Sequence, residues 1–132
     1  MAKALVPELY VSNLETSLVF YIEVLGFEVA YDRPDETFAY LHREGAELML
    51  EQVGEKSWLT GELAHPFGRG VNFQIQVAEI APLYEACLHT AATIKVPLER
   101  REYDTGDQTI TQTQFVVQDP DGYLIRLAEI EI

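Results

Sequence analysis

The chain has 132 residues and one cysteine, so no disulfide can form within it and folding has to rest on burial. At this length one domain with an unstapled core is feasible, and no structural metal is required. Basic residues are also few: 9 Lys and Arg stand against 22 Asp and Glu, a formal net charge of -13. Nucleic-acid binding depends on basic side chains that neutralise phosphates, so that class of partner is disfavoured. The acids are scattered from Glu8 to Glu131; they keep the protein in solution and attract cations. Long apolar runs are absent. Nothing after Met1 suits a signal peptide or a membrane span, and the expectation is a cytoplasmic protein without a membrane partner.

What is present is a repeated order of elements. Leu5 to Val11 reads as a strand carrying Pro7, and Leu14 to Leu25 has helical spacing between Asn13, placed as an N-cap, and Gly26, placed as a stop. Strands are predicted over 27–32, 37–43 and 46–53, with turn residues between them. A glycine-rich stretch, 54–70, interrupts the pattern, and the order then returns. Val71 to Val77 is a strand, Ile80 to Ala92 a helix, Ile94 to Tyr103 extended, and Gln112 to Gln118 and Tyr123 to Ala128 strands joined by the turn DPDG at 119–122. Cys87 falls on the apolar stripe of the second helix, which makes it a core residue, and no nucleophile with a neighbouring base is visible.

The halves echo each other. GAELMLEQ and GYLIRLAE each run from a glycine through alternating residues to an amide or acid, and the helices carry SLVFY and APLYE at like offsets. The reading is one α+β domain over 1–132: module one at 4–53, a loop at 54–69 and module two at 70–132. With one helix for four strands, each half covers one sheet face and leaves the other open, and two halves side by side would form a long curved sheet with a groove.

The patterns VSNLETSLVFYIEVLGFEV at 11–29 and QDPDGYLIRLAE at 118–129 resemble the vicinal oxygen chelate superfamily, which includes glyoxalase I, extradiol dioxygenases and the fosfomycin- and bleomycin-resistance proteins. The resemblance covers nearly the whole chain and implies tandem βαβββ modules forming a mostly antiparallel mixed sheet with helices outside. Metalloenzymes of this superfamily carry a His or Glu at four matching strand positions. Carried over, these fall on Val6, Met49, Gly70 or its neighbours, and Arg126, none of which suits a hard divalent ion. The three histidines, His42, His65 and His89, lie elsewhere and read as surface or packing residues. No metal and no cofactor are therefore expected, and a binder is favoured over an enzyme. The alternative is a metal-dependent lyase or dioxygenase of the same superfamily that uses Glu51, His65 or Glu129.

Within the superfamily the sequence is most similar to bleomycin-resistance proteins, small acidic homodimers that sequester a cationic drug in grooves between subunits and so confer antibiotic resistance. VPELYVSNLETSLVFY resembles their opening, with Pro7 where the first strand leaves to exchange with the partner subunit. The implied function is a homodimer that holds a cationic or flat polar small molecule of the bleomycin kind.

Strand parity indicates the face. If Val71, Phe73, Ile75 and Val77 pack under the helix, Asn72, Gln74 and Gln76 point away from it. By the same alternation the uncovered side collects Glu8, Tyr10, Phe38, Tyr40, Glu47, Met49, Glu51, Gln112, Gln114 and Arg126. Carboxylates, amides and aromatics in this mixture suit a flat cation held by charge and stacking. Phe38, expected to face solvent, is the leading contact and matches an aromatic that stacks on the drug in the resistance proteins. Those proteins also clamp the drug with a tryptophan before the penultimate strand, which TITQTQ lacks. The one tryptophan, Trp58, lies in the central loop, where it either anchors the loop by packing or serves as a substitute clamp.

Overall fold

The computed structural model describes residues 3–131. The chain divides between Phe67 and Gly68 into two compact units. In the first, β1 (Glu8–Val11) leads into α1 (Leu14–Leu18), which continues as a wider helical turn over Val19–Val24; β2 (Glu28–Arg33), β3 (Phe38–Arg43) and β4 (Ala46–Gln52) follow. The second repeats the order with β5 (Asn72–Gln76), α2 (Ala81–Leu88), β6 (Ile94–Asp104), β7 (Thr109–Gln118) and β8 (Leu124–Glu131). The strands form two four-stranded mixed sheets, ordered β1-β4-β3-β2 and β5-β8-β7-β6. In each, the first strand pairs in parallel with the last and the other pairs are antiparallel. The architecture is α+β, as the repeat implied.

Local chemistry explains the first helix. Asn13 caps it, its side-chain oxygen accepting from the Thr16 N–H at 2.9 Å. Its last turn widens, with the Leu25 N–H donating five residues back to the Phe20 carbonyl at 3.1 Å. Gly26 then takes φ +79°, the left-handed conformation that ends helices.

The residue that closes each repeat has a defined task. Gln52 Oε1 accepts from the Leu14 N–H at 3.0 Å, and Glu129 Oε1 accepts from the Ile80 N–H at 2.9 Å. Each anchors an N–H at the start of its helix, a group with no partner inside the helix. These bonds also fix which side of each sheet the helix covers.

On the helix side of the first sheet, Leu9, Val11, Ala39, Leu41, Leu48 and Leu50 are buried with Tyr21, Leu25 and Phe27. Tyr21 meets Phe20 and Phe27 edge to face at 5.2 and 5.8 Å. Ile75, Val77, Phe115, Val117, Ile125 and Leu127 form the second core with Leu83 and Cys87, and Tyr84 packs on Phe115 at 5.0 Å. Burial of each such side chain stabilises by roughly 1.5–3 kcal/mol. It also pushes the Cys87 thiol up to about 11, so the group is inert packing.

Some boundaries differ from the sequence reading. Val71 lies outside β5 and is exposed, and α2 stops at Leu88, where Thr90 turns back to the Cys87 carbonyl through its N–H and hydroxyl. DPDG is a turn: Asp119 Oδ1 accepts from the N–H groups of Asp121 and Tyr123, both at 2.9 Å, and Gly122 adopts φ +99°. Among the described residues no helix is long and apolar enough to cross a membrane.

Candidate ligand-binding faces

In the first sheet the helix-free face follows from the register. Glu8 lies beside Met49, Met49 beside Tyr40 and Tyr40 beside Tyr31; Tyr10, Glu51, Phe38 and Arg33 form the next row. The parity argument thus placed Glu8, Tyr10, Phe38, Tyr40, Glu47, Met49 and Glu51 on one face correctly. It missed Tyr31 and Arg33. A bulge between Val29 and Tyr31 shifts the register of β2, so Val29 stays level with Leu41 on the helix side while Tyr31 and Arg33 turn to the other.

Those two residues change the site. Phe38, expected to face solvent, is 1% exposed, and Tyr40 is 7% exposed. The Arg33 guanidinium lies 3.9 Å from the centroid of the Phe38 ring, and Tyr31 stacks on Tyr40 at 5.0 Å and 19°. Arg33 is held in turn by Glu36, Nε to Oε2 at 2.6 Å. The chain therefore seats its own planar cation on Phe38.

Carboxylates surround this aromatic patch. Tyr40 donates its hydroxyl to Glu47 Oε1 at 2.5 Å. That bond pushes the Tyr40 phenol up to about 12 and holds the Glu47 carboxyl below its usual range. Glu8 moves the other way: burial, and then the charge of Glu51, raise its pKa, with Arg33 pulling it partly back. A carboxylate left short of positive charge attracts an incoming cation.

Trp58 does not pack. Its side chain belongs to a residue that is 86% exposed, and the loop is tied instead through its backbone, the Trp58 N–H donating to the Tyr10 hydroxyl at 3.0 Å. The loop reading by ring packing is overturned, because Tyr10 supplies the anchor. A cavity of about 350 Å³ at the same sheet is lined by Asn13, Leu14, Leu18, Asp32, Phe38 and Gln52 among others, and so includes Phe38, the leading contact expected from the sequence.

The second sheet carries the amides. Asn72, Gln74 and Gln76 are exposed along β5, whereas Gln112 and Gln114 are buried at 3% and 4% exposure. Buried amides need partners, and these have them. Gln112 Nε2 donates to Gln114 Oε1 at 2.7 Å and, past the small Ala128 of β8, to Gln74 Oε1 at 3.4 Å; Gln114 Nε2 donates to Glu99 Oε2 at 2.9 Å. Arg101 lies 3.8 Å from the same Glu99 oxygen. Glu99 and Arg101 were also missed, because the sequence reading assigned no face to β6, whose two register shifts cancel before Glu99.

The register places the residues named for the metal positions. Val6 precedes β1, and the first-strand residue beside Met49 is Glu8; in the second sheet the residue beside Arg126 is Gln74. Within module one the Met49 thioether is too soft for a hard divalent ion, and within module two the Arg126 guanidinium repels one. Among the described residues no group of three or more His, Cys, Asp or Glu side chains is placed to hold one. Glu129, offered as an alternative ligand, is turned to the helix side, where it anchors Ile80. Pro7 stands just ahead of β1 and its carbonyl accepts from the Met49 N–H at 2.8 Å; the strand expected to exchange with a partner subunit is here paired within its own chain.

A family model described as "Glyoxalase/Bleomycin resistance protein/Dioxygenase superfamily" matches residues 4–127. The chain belongs to that superfamily. A superfamily member from Vibrio splendidus 12B01 is 44% identical over 96% of this chain and 97% of its own, with a TM-score of 0.46. TioX from Micromonospora sp. ML1 is 18% identical, covers 97% of this chain and 98% of its own, and has a TM-score of 0.74. A glyoxalase/bleomycin resistance protein/dioxygenase from Alicyclobacillus acidocaldarius is 19% identical over 100% of this chain and 96% of its own, with a TM-score of 0.63. These last two share the fold. Among curated proteins none matches the chain.

Proposed function

We propose that the protein binds a flat, cationic small molecule without a metal, at the helix-free face of module one, and acts by sequestration as a cytoplasmic homodimer of the bleomycin-resistance kind. Arg33 on Phe38 carries this reading. A planar cation over an aromatic ring, 3.9 Å from its centroid and edged by carboxylates, is the chemistry a flat cationic ligand would use, and Arg33 supports the reading by occupying Phe38 in that way. Glu8, Glu47 and Glu51 on the same face supply the attraction, and the overall charge of -13 steers cations toward it. Trp58, exposed on a loop tied to Tyr10, is available to cover a bound ligand.

Calorimetric titration with metal-free and copper-bound bleomycin, and with an N-alkyl acridinium dye as a minimal flat cation, tests the proposal, with Trp58 fluorescence as a second readout. Saturable binding weakened by Phe38→Leu supports it. Absence of heat and of fluorescence change with all three ligands rejects it; binding of the dye but not of bleomycin retains the cation seat and rejects the drug.

A further inference from the structure

We infer that module one holds a second binding site, on the α1 side of its sheet, for a small arylalkyl ammonium ion. The site is the cavity of about 350 Å³ between the start of α1 and the hairpin that joins β2 to β3. Leu14, Leu18, Pro34 and Ala39 give it apolar walls, and Glu15 and Asp32, both exposed, line its rim. Arg33 and Glu51, level with Phe38 on the helix-free face, do not line it, whereas Leu14, Glu15 and Leu18 of α1 do. Its volume falls at the lower end of the range for small-molecule sites.

The internal repeat shows why the space exists. Gln52 and Glu129 anchor Leu14 and Ile80 in the same way, which makes those two residues equivalent, and four positions further along this sets Leu18 against Tyr84. Two positions back from the same closing residues, Leu50 stands against Leu127, and their cross-strand partners are Ala39 and Phe115. In module two the rings of Tyr84 and Phe115 meet at 5.0 Å, with Phe115 fully buried. Module one has leucine and alanine in their stead. Taking two rings out of a close-packed layer leaves a void wherever the surroundings do not collapse, and here the void persists. An aromatic ring is the shape that module two places in the equivalent space.

Charge decides what that ring should carry. Among the described residues neither Glu15 nor Asp32 has a lysine or arginine within ion-pair distance. The helix donors beside them are spent: the Leu14 N–H goes to Gln52 Oε1 at 3.0 Å and the Thr16 N–H to Asn13 Oδ1 at 2.9 Å, so these groups do not invite an anion. Two carboxylates without counter-charge at the mouth of an apolar cavity favour a ligand with an apolar body and a cationic end. An ammonium, with three donors on one compact group, can give a hydrogen bond to either carboxylate. A ring on a short alkyl chain would sit between Leu18 and Ala39 with its charge at the rim. This site stands independently of the cation seat proposed on the opposite face of the sheet.

Methyl NMR of the native protein, titrated with phenethylammonium and with 2-phenylethanol as its neutral counterpart, reads the walls directly. The methyl resonances of Leu14, Leu18 and Ala39 are expected to shift saturably with the amine, and that of Met49, on the helix-free face, to stay still. The alcohol should bind roughly fivefold more weakly or worse, and Glu15→Gln and Asp32→Asn should each weaken the amine about two- to fivefold. Ala39→Phe, which installs the residue of module two, should abolish the Leu14 and Leu18 shifts, and the native titration decides alone should that variant fail to fold. Wall methyls that ignore the amine, a shift confined to Met49, or equal affinity for amine and alcohol overturns the inference. Failure of the acridinium dye to bind while these methyls still shift would reject the cation seat and keep this site.

Discussion

The Arg33 guanidinium carbon stands 3.9 Å from the centroid of the Phe38 ring, so the aromatic face that would receive a flat cation is already covered by one of the chain's own. Arg33 is held from outside by Glu36, and both side chains are about half exposed, so the pair is able to part. A bound ligand has to displace Arg33 or stack beyond it.

If displacement is the route, Arg33→Ala removes a competitor worth about 0.5–1 kcal/mol and should tighten binding of an N-alkyl acridinium dye roughly two- to fivefold. Phe38→Leu keeps an apolar side chain in a buried place, costs roughly 1–2 kcal/mol of stability, and should weaken the same dye by about 1 kcal/mol. Titration calorimetry with paired thermal melts checks both. Weaker binding in Arg33→Ala would show that Arg33 assists the ligand rather than competing with it.

Binding of a permanent cation should depend on pH through Glu8. Burial and the Glu51 charge raise its pKa, so part of the face is protonated in mildly acid solution, and a cation prefers the ionised form. Affinity should therefore increase as pH rises through the upper carboxylate range, with proton release on binding, and Glu8→Gln should flatten that rise. The stability linkage has a matching sign. A carboxyl that holds its proton more tightly when folded adds stability below its unfolded pKa, and that contribution is lost as pH rises through the folded value. Glu8→Gln should accordingly be neutral or stabilising at pH 7 in denaturant titrations, and a clear loss there would mean that Glu8 has a partner that needs its charge.

Alternation made much of this legible from the sequence, and it failed where alternation itself breaks. The closing residues of GAELMLEQ and GYLIRLAE were seen as a repeat before their shared task was known; Gln52 and Glu129 turn out to anchor the N–H groups of Leu14 and Ile80. Parity put seven residues of module one on their common face because β1, β3 and β4 run without bulges. Tyr31 and Arg33 escaped because one extra residue in the edge strand β2 reverses every side chain beyond it, and nothing in its composition marks where that residue falls; β6, with Glu99 and Arg101, reads in the sequence only as an extended segment without an assigned face. Phe38 was placed on the right face with the wrong exposure for the same reason: its cover comes from Arg33, beyond the bulge.

The amide chain in module two should behave as a unit. Gln114 accepts from Gln112 and donates to Glu99, so Gln114→Leu strands a buried amide and removes a bond from a carboxylate. A cost of about 1–3 kcal/mol is expected in urea unfolding. Gln112→Leu with Gln114→Leu should cost less than the sum of the single changes, because the double variant leaves no orphan between them. Strict additivity would mean that solvent already satisfies these groups.

Gly68 is fixed by two independent constraints that meet at one atom. Its φ of +70° lies in the left-handed region, where a β-carbon costs on the order of 1 kcal/mol. A β-carbon built there would also stand 2.4 Å from Cδ1 and 2.8 Å from Cε1 of the Tyr123 ring, far inside contact distance. Tyr123 cannot easily yield, since it is 9% exposed and its backbone is tied to Asp119 through two hydrogen bonds, at 2.9 Å from its N–H to Asp119 Oδ1 and 2.9 Å from the Asp119 N–H to its carbonyl. Gly68→Ala should therefore destabilise by roughly 3 kcal/mol, conformational cost and overpacking together, as measured by denaturant unfolding. Replacing Tyr123 by Leu in the same chain removes the ring but not the dihedral cost, so the second substitution should recover part of the loss and leave about 1 kcal/mol from the backbone. A full recovery would assign the whole effect to the ring, and no recovery would assign it to the backbone alone.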